Sequence, residues 1–362
     1  MSKAVHNRGA AGAGMAAASG LKLQDGPYSK EVPVRTVLRL LLVSMVCLGF
    51  SPANAEDKPP AGGAEALSAV VRVKARILPN ARSADTLGTQ REGNGVLIRD
   101  NYVLTIGYLV IEAEGIEVIS SEGKAVPATL AGYDHASGFG LLRLVAPIEG
   151  KPIALGDARD LAERDPVMVA SHGGREGISL AYVVSRRQFT GSWEYLLDSA
   201  IFTYPPVMNW SGAALIGPKG DLLGIGSLIV ADAMSPGTQS PGNMFVPVDL
   251  VKPILNDLID KGRAGPVRPW LGMATEEFRG RLFVSRLSPD GPAARAGVQR
   301  GDILVGVGSE EVSSLADFYK KIWARGAAGI EVPLRVLQGT QVRDVNVRSI
   351  DRIEYFRAKP ML

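Results

Sequence analysis

Short apolar runs separated by turn residues recur along the chain between residues 69 and 247. Several of these runs alternate apolar and polar positions, as residues 70–75 do, and a period of two is typical of half-buried strands. The first set of predicted strands comprises residues 69–77, 95–98, 102–105, 115–120, 126–133 and 140–145. The second set comprises residues 167–171, 178–184, 195–197, 213–216, 222–229 and 243–246. Two sets of similar size predict a mainly β protein with a double barrel.

A helical pattern follows the second set of strands. Apolar residues spaced three and four apart between positions 250 and 259 predict an amphipathic helix, with Asp249 as its N-cap. A Gly- and Pro-rich hinge at residues 265–269 then precedes a smaller unit. In that unit, residues 314–325 form a predicted helix capped by Ser313 or Ser314. Its predicted strands are residues 271–276, 282–287, 303–307, 330–336 and 344–349.

The first 55 residues have a different character. An apolar core at residues 40–50 follows Arg35 and Arg39 and precedes a small-x-small exit at residues 53–55, which is the pattern of a secretory signal peptide. We therefore predict export to the periplasm or beyond, with cleavage after Ala55. An uncleaved inner-membrane anchor formed by residues 37–50 is the alternative, and so is a translation start downstream of Met1. Residues 56–66 are rich in Pro, Gly and Ala and form a predicted linker.

The composition narrows the class of partner. The 362 residues include 40 Lys and Arg against 37 Asp and Glu, and this balance argues against nucleic acid as a partner. Cys47 is the one cysteine of the sequence and lies within the predicted signal, so the exported chain would have no disulfide. The 3 histidines lack the spacing of metal ligands, and we predict neither a metal site nor a cofactor.

Three motifs of the smaller unit occur in the order found in PDZ domains of the HtrA type. Residues 270–273 match a loop with glycine between apolar residues, residues 288–298 resemble a Ser-Pro-Ala-Ala-x-Ala-Gly-Leu segment, and residues 301–304 resemble a Gly-Asp-x-Ile segment. The resemblance implies that the loop holds the terminal carboxylate of a peptide, which pairs with residues 273–276 or, by spacing alone, with residues 282–285. The candidate peptide-binding residues of the loop are Trp270, Leu271, Gly272 and Met273.

The predicted helix of this unit would form the other wall of the peptide groove. Its apolar residues lie at helical spacing, which is also the pattern of a core-facing helix. The candidate peptide-binding residues on this helix are Leu315, Phe318, Tyr319 and Ile322.

The larger unit resembles the trypsin-like protease domain of the HtrA/Deg family. Residues 93–98, 101–105, 155–157, 222–226 and 244–247 match its structural motifs in order. In the nucleophile loop Ser211 retains the serine position, and Asn209 replaces the glycine of the oxyanion hole. The resemblance implies a chymotrypsin/trypsin-like double β-barrel at residues 67–262, a PDZ domain at residues 269–350 and a C-terminal tail at residues 351–362.

The other two positions of the catalytic triad are changed. Tyr108 stands where the family has its histidine, and Gly138 stands where it has its aspartate. A phenol has a pKa of about 10 and keeps its proton at neutral pH, so it is a poor general base. A serine without a base is a poor nucleophile. We expect His135 and His172 to be surface loop residues rather than substitute bases, and no lysine is placed to form a Ser–Lys dyad.

These observations predict an exported HtrA/Deg-like pseudoprotease. Its PDZ domain would bind protein C-termini or unfolded segments in envelope protein quality control, and the family resemblance implies a trimer-like homo- or hetero-oligomer. An active serine endopeptidase that uses Ser211 with an atypical base is the main alternative. A structural scaffold, in which Tyr108 and Trp210 fill the old cleft and neither groove binds a ligand, is the third.

Overall fold

The computed structural model describes residues 63–356, with side chains from residue 66 onward. The predicted signal peptide, its alternative as an anchor and most of the predicted linker lie outside these residues, as does the end of the predicted tail. Within residues 63–356 no helix is long and apolar enough to span a membrane.

The first barrel follows a short helix, α1 (Gly63–Ser68), and closes in the strand order β1-β2-β3-β6-β5-β4. All its neighbouring strands are antiparallel, and a second short helix, α2 (Ala84–Leu87), lies between β1 and β2. The strands are β1 (Val70–Ile77), β2 (Gln90–Arg99), β3 (Tyr102–Ile106), β4 (Ala113–Ile119), β5 (Ala125–Tyr133) and β6 (Phe139–Leu144).

The second barrel closes in the order β10-β11-β12-β9-β8-β7. Its strands are β7 (Pro166–Ala170), β8 (Ile178–Gly191), β9 (Tyr195–Tyr204), β10 (Ala214–Ile216), β11 (Leu222–Val230) and β12 (Gly242–Pro247). The hairpin of β8 and β9 is much longer than the sequence pattern indicates, because residues 185–191 and 198–204 continue the pairing. Aromatic side chains along the hairpin pack on one another and support this extension: Phe189, Trp193, Tyr195 and Phe202.

A helical segment follows the second barrel, as the apolar spacing predicts. It begins with two 3-10 turns at Val248–Leu250 and Lys252–Ile254 and continues as α3 (Leu255–Lys261). Asp249 is not its N-cap, because the Asp249 carboxylate accepts the backbone N–H of Ala158 at 2.9 Å instead. Gly262, in the left-handed conformation, ends the helix.

The third unit is a sheet in the order β13-β14-β15-β17-β18, with β16 paired to β15. Its strands are β13 (Met273–Phe278), β14 (Arg281–Leu287), β15 (Ile303–Val307), β16 (Glu310–Glu311), β17 (Glu331–Gln338) and β18 (Gln341–Arg348). Its helices are α4 (Pro292–Arg295) and α5 (Leu315–Trp323), and α6 (Arg352–Phe356) ends the described chain. Ser314 caps α5 by accepting the Asp317 N–H, as predicted.

Three apolar cores hold these units. One fills the first barrel and continues into part of the second, and it includes Phe139, Phe202 and Leu258. A smaller core fills the rest of the second barrel, and the third lies between the last sheet and α5. Leu196 of β9 belongs to this third core, so the long hairpin of the second barrel packs into the last unit. The architecture confirms the predicted mainly β fold of a double barrel followed by a PDZ domain.

Candidate functional site

Ser211 lies in the turn between β9 and β10, where the two barrels meet. The next residue, Gly212, has a φ of 73°, and a Cβ at this position would overlap the carbonyl oxygen of Asn94. Only glycine meets both requirements. The Ser-Gly pair is therefore explained by the local packing of the turn as well as by inheritance of a nucleophile.

Asn94 of β2 holds this turn in place. Its backbone N–H donates to the Ser211 carbonyl at 2.8 Å, and its side-chain Nδ2 donates to the carbonyls of Asn209 and Ser211 at 2.9 and 3.0 Å. Its Oδ1 accepts the backbone N–H of His172 at 2.7 Å, and the Thr105 hydroxyl donates to its carbonyl at 2.6 Å. One buried side chain thus fixes the Ser211 turn against both barrels.

Tyr108 contacts the Ser211 hydroxyl directly. Its Oη lies 2.8 Å from Ser211 Oγ and 2.8 Å from the carbonyl oxygen of Ser227. A carbonyl oxygen can only accept a hydrogen bond, so the single phenol proton is donated in the hydrogen bond to the Ser227 carbonyl. The Ser211 hydroxyl is then the donor in its hydrogen bond with the phenol oxygen. The ring of Tyr108 is partly exposed, but its hydroxyl points inward.

This arrangement leaves Ser211 without a base. Burial raises the pKa of Tyr108 to about 12, although the hydrogen bond with Ser211 opposes the shift. The phenol therefore stays protonated at any physiological pH, and its one proton is already engaged. The phenol accepts a hydrogen bond from the Ser211 hydroxyl but cannot take over its proton, whereas an imidazole at this place does so as a general base.

Gly138 supplies no carboxylate beside Tyr108. It has a φ of 82°, and its carbonyl accepts the N–H of Gly107 at 2.7 Å. A Cβ at this position would lie 3.4 Å from the Tyr195 ring and its hydroxyl. The carboxylate of the nearby Asp134 is engaged by the N–H and hydroxyl of Ser137. No carboxylate hydrogen-bonds to Tyr108 in the part of the chain described.

His135 is not the free surface residue that the sequence suggests. Its Nδ1 lies 3.1 Å from the Tyr133 hydroxyl, and its Nε2 lies 2.6 Å from Nη1 of Arg352 in α6. Burial and the positive charge of Arg352 hold the pKa of His135 well below 6.5. Its ring is committed to the contact between the first barrel and the end of the chain, away from Ser211.

His172 lies nearer to Ser211. Both residues line a cleft of about 490 Å³, together with Arg72, Glu92, Gly93, Asn94, Met208, Asn209 and Trp210. The His172 Nε2 lies 3.2 Å from the Ser120 carbonyl oxygen, so this nitrogen is engaged with the backbone. Tyr108 is the only side chain that hydrogen-bonds to the Ser211 hydroxyl among the described residues.

Asn209 takes the place of an oxyanion-hole glycine without taking a glycine-like conformation. Positive φ among the described non-glycine residues occurs at Glu112, Arg164, Glu194, Arg279 and Asp290, and not at Asn209. The Asn209 carbonyl accepts the Ser171 hydroxyl at 2.8 Å in addition to the Asn94 amide. The turn is therefore held by its carbonyls, which stabilise no anion.

The loop of the PDZ unit that is predicted to bind a peptide's terminal carboxylate, residues 270–273, is occupied by a side-chain carboxylate from the second barrel. Glu194, at the tip of the β8–β9 hairpin, accepts the N–H groups of three consecutive loop residues. The distances are 2.9 Å from Leu271, 2.8 Å from Gly272 and 3.1 Å from Met273. The N–H of Trp270 is not part of this set, because it donates to the Ile350 carbonyl.

The same hairpin tip pairs with the edge strand. The Thr275 N–H of β13 donates to the Ser192 carbonyl at 2.9 Å. β13 is the outermost strand of its sheet, whereas β14 lies between β13 and β15. Residues 273–276 therefore belong to the accepting edge, and the alternative at residues 282–285 is wrong because those residues are inside the sheet.

The residues predicted on α5 divide between core and groove. Phe318 and Ile322 are fully buried in the core of the PDZ unit. The Tyr319 hydroxyl donates to the Gly191 carbonyl at 2.9 Å and accepts the Glu194 N–H at 3.1 Å. Leu315 lines a cleft of about 510 Å³ beside the hairpin tip. Helical spacing alone could not separate these roles.

Comparison with known proteins finds relatives of both the barrel unit and the PDZ unit. A family model for the trypsin-like peptidase domain matches residues 93–225, and a model for the PDZ domain matches residues 283–332. The periplasmic pH-dependent serine endoprotease DegQ of Escherichia coli is 29% identical over 272 residues, which cover 70% of this chain and 58% of DegQ. In both units and in their order the chain is similar to the HtrA/Deg family.

Further HtrA/Deg relatives extend the comparison. The serine endoprotease DegS of Escherichia coli is 26% identical over 302 residues, covering 75% of this chain and 80% of DegS. The serine protease Do-like HtrA of Lactobacillus helveticus is 26% identical over 268 residues, covering 66% of this chain and 63% of that protein. The match thus spans about three fifths of the Lactobacillus HtrA and of DegQ.

Solved HtrA-type structures have the same fold. The HtrA-type protease AlgW with a decapeptide aligns with a TM-score of 0.50 and 20% identity, covering 80% of this chain and 97% of AlgW. A variant of AlgW with a tripeptide aligns with a TM-score of 0.52 and 19% identity, covering 80% of this chain and 95% of that one.

Two residues that shape these sites, Asn94 and Glu194, are not among those predicted from the sequence. Asn94 lies in the segment at residues 93–98, which resembles a structural motif of the HtrA/Deg protease domain but does not indicate its contacts with the Ser211 turn. Glu194 follows Gly191-Ser192-Trp193, and recognising these residues as a hairpin tip would have required predicting the full length of β8 and β9. Within the described residues there is no group of three or more potential metal ligands.

Proposed function

We propose that this HtrA/Deg protein binds protein chains without cleaving them. The observation that carries the proposal is the position of Tyr108. Its hydroxyl lies 2.8 Å from Ser211 Oγ and donates a hydrogen bond to the Ser227 carbonyl. In serine proteases the loss of triad groups lowers turnover by up to about a millionfold. Hydrolysis by Ser211 would also lack a carboxylate at position 138 and an amide-lined oxyanion hole at Asn209.

The binding function rests on the PDZ unit. Its loop of Leu271, Gly272 and Met273 directs three backbone N–H groups at one carboxylate, and β13 offers an edge for strand addition. We propose that the ligands are protein C-termini or extended unfolded segments. By analogy with DegQ, which is named periplasmic, the protein would act in envelope quality control after export or from an inner-membrane anchor. A homo- or hetero-oligomer with an active relative would extend this role.

Fluorophosphonate labelling tests the absence of an activated serine. The full-length chain, its Ser211→Ala variant and an active HtrA-type protease are treated in parallel, and the labelled peptide is mapped. We expect no labelling of Ser211 and no cleavage of unfolded β-casein, while the active protease reacts in both assays. Labelling that disappears in Ser211→Ala would overturn the proposal.

The competing function is an active serine endopeptidase. The observation that favours it is the cleft of about 490 Å³ in which Ser211 and His172 lie together. A His172→Ala variant separates the two functions. If His172 served as an atypical base, β-casein cleavage would be present in the unmodified chain and absent in this variant. Under the proposed function neither protein cleaves.

A further inference from the structure

The tip of the β8–β9 hairpin lies in the PDZ groove along the path of a bound peptide. In strand-addition binding, the ligand runs antiparallel to the edge strand and its terminal carboxylate enters the loop. Here the Glu194 carboxylate enters the loop, and Ser192, two residues earlier, accepts the Thr275 N–H of β13. The direction of the chain, the carboxylate and the strand pairing all match those of a C-terminal ligand.

We propose that residues 191–194 are a built-in ligand of the PDZ groove, and that a free C-terminal carboxylate binds only by displacing Glu194. The inference rests on the proposed peptide-binding function for the identity of the competitor. The closure itself depends only on contacts within the chain.

The backbone at Glu194 explains how an internal residue can imitate a chain end. Glu194 has a φ of 59°, which is an unusual conformation for a residue other than glycine, asparagine or aspartate. This turn directs the main chain back into β9 while the side chain enters the loop. Strained conformations persist where the surroundings fix them, and here the Tyr319 hydroxyl accepts the Glu194 N–H at 3.1 Å.

The tip fills only the carboxylate end of the groove. Beyond Ser192, a cleft of about 510 Å³ continues between β13 and the start of α5. The hairpin borders this cleft through Gln188, Thr190 and Ser192. The residues of an extended ligand that precede its C-terminus would lie here. An incoming chain can therefore contact the groove before Glu194 leaves the loop.

The charged and titratable groups around Glu194 come from three elements. Arg352 of α6 is the cation, Tyr319 of α5 contributes its hydroxyl, and Tyr133 and His135 lie behind Arg352 at the end of β5. Glu194 is only 4% exposed, and this burial raises its pKa to about 7, against the effects of the three N–H donors and Arg352. Glu194 therefore binds a proton more tightly in the closed groove than in the open one.

The test uses the full-length chain and three variants. Glu194→Ala removes the built-in carboxylate, Tyr319→Phe removes the hydroxyl that holds residues 191 and 194, and Asp198→Ala removes an exposed carboxylate of the same hairpin as a matched control. Hydrogen exchange is followed at the amides of residues 271–275. A pooled library of decapeptides with randomised final residues is offered in two forms, with a free C-terminal carboxylate and with a C-terminal amide.

We expect exchange at residues 271–273 to rise at least about tenfold in Glu194→Ala and about threefold in Tyr319→Phe, with no change in Asp198→Ala. Affinity for free-acid peptides should rise in the same order, and amidated peptides should bind none of the proteins. Unchanged exchange in Glu194→Ala, or equal peptide affinity of the unmodified chain and Glu194→Ala, would overturn the inference. Faster exchange without binding of any peptide would support the closure and would contradict the proposed peptide-binding function.

Discussion

The proton assignment at Tyr108 predicts unequal effects of two conservative substitutions. Ser227 lies at a β-bulge of β11, where the register shifts between Gly226 and Leu228, so its carbonyl depends on the Tyr108 hydroxyl. In Tyr108→Phe this buried carbonyl loses its donor and the Ser211 hydroxyl loses its acceptor. An unsatisfied buried polar group costs about 1–3 kcal/mol, and we expect a total loss of roughly 2–3 kcal/mol in the free energy of unfolding.

Ser211→Ala should cost less. It removes a donor to the phenol oxygen but leaves the bond from Tyr108 to Ser227 intact, so we expect a loss of about 0.5–1.5 kcal/mol. A loss of 1 kcal/mol shifts the melting temperature of a domain of 150–250 residues by about 2–4 °C. Tyr108→Phe should therefore melt roughly 4–12 °C below the unmodified chain.

Calorimetry at pH 7 on the two variants and the double variant provides the measurement. Tyr182→Phe is the matched control, because Tyr182 is exposed and its hydroxyl has no role at this site. The double variant should lose less than the sum of the single losses, since both remove the same bond. A loss in Ser211→Ala as large as that in Tyr108→Phe would refute the proton assignment. The phenol proton would then belong to Ser211, and Ser227 would need no donor.

Three further predictions concern the triad positions, the turn and the PDZ loop. Tyr108→His alone should give no β-casein cleavage. Tyr108→His combined with Gly138→Asp should still react about 100–1,000-fold more slowly with fluorophosphonate than an active HtrA-type protease, because under the proposed function the turn at Asn209 forms no oxyanion hole. Full activity of the double variant would contradict this. Gly212→Ala should lower the free energy of unfolding by about 2–4 kcal/mol in urea titrations, whereas Gly123→Ala, with a φ of 90° and open space around it, should lower it by about 1 kcal/mol. Because the pKa of Glu194 is 4.5 when exposed and about 7 in the closed groove, closure is strongest in acid and weakens as the pH rises through 7. Free-acid peptides should therefore bind about tenfold more tightly at pH 8 than at pH 6, and Glu194→Gln should abolish the difference; an unchanged affinity in the unmodified chain would refute the role of Glu194.

The sequence predicts the barrels and the PDZ sheet well because their strands are short and strongly patterned. The predicted strand at residues 303–307 coincides with β15, and the predicted N-cap Ser314 caps α5. Asp249 is the exception. Aspartate at the start of an apolar helix is a good capping signal, but the loop before β7 offers the unpaired N–H of Ala158, and this tertiary partner takes the carboxylate.

Contacts between units could not be predicted from the same patterns. The strands predicted at residues 178–184 and 195–197 are too short, because arginine and glutamine at residues 186–188 and aspartate at residue 198 interrupt the apolar alternation. The structure uses these polar residues, as in the bond from Arg186 Nη1 to the Arg159 carbonyl at 2.8 Å. A strand that pairs within a hairpin and packs on another unit needs no continuous apolar face.

Two successive residues of β9 and its turn connect the degenerate triad with the PDZ groove. Glu194 lies in the carboxylate loop, while the Tyr195 hydroxyl donates to the Ser137 carbonyl at 2.6 Å. A Cβ at Gly138 would lie 3.4 Å from the Tyr195 ring, in van der Waals contact with the side chain that anchors the hairpin, and the φ of Gly138 is 82°. The glycine at the aspartate position and the occupied PDZ groove therefore belong to one packing arrangement. An aspartate at position 138 would be strained by the positive φ and would contact the hairpin that closes the groove.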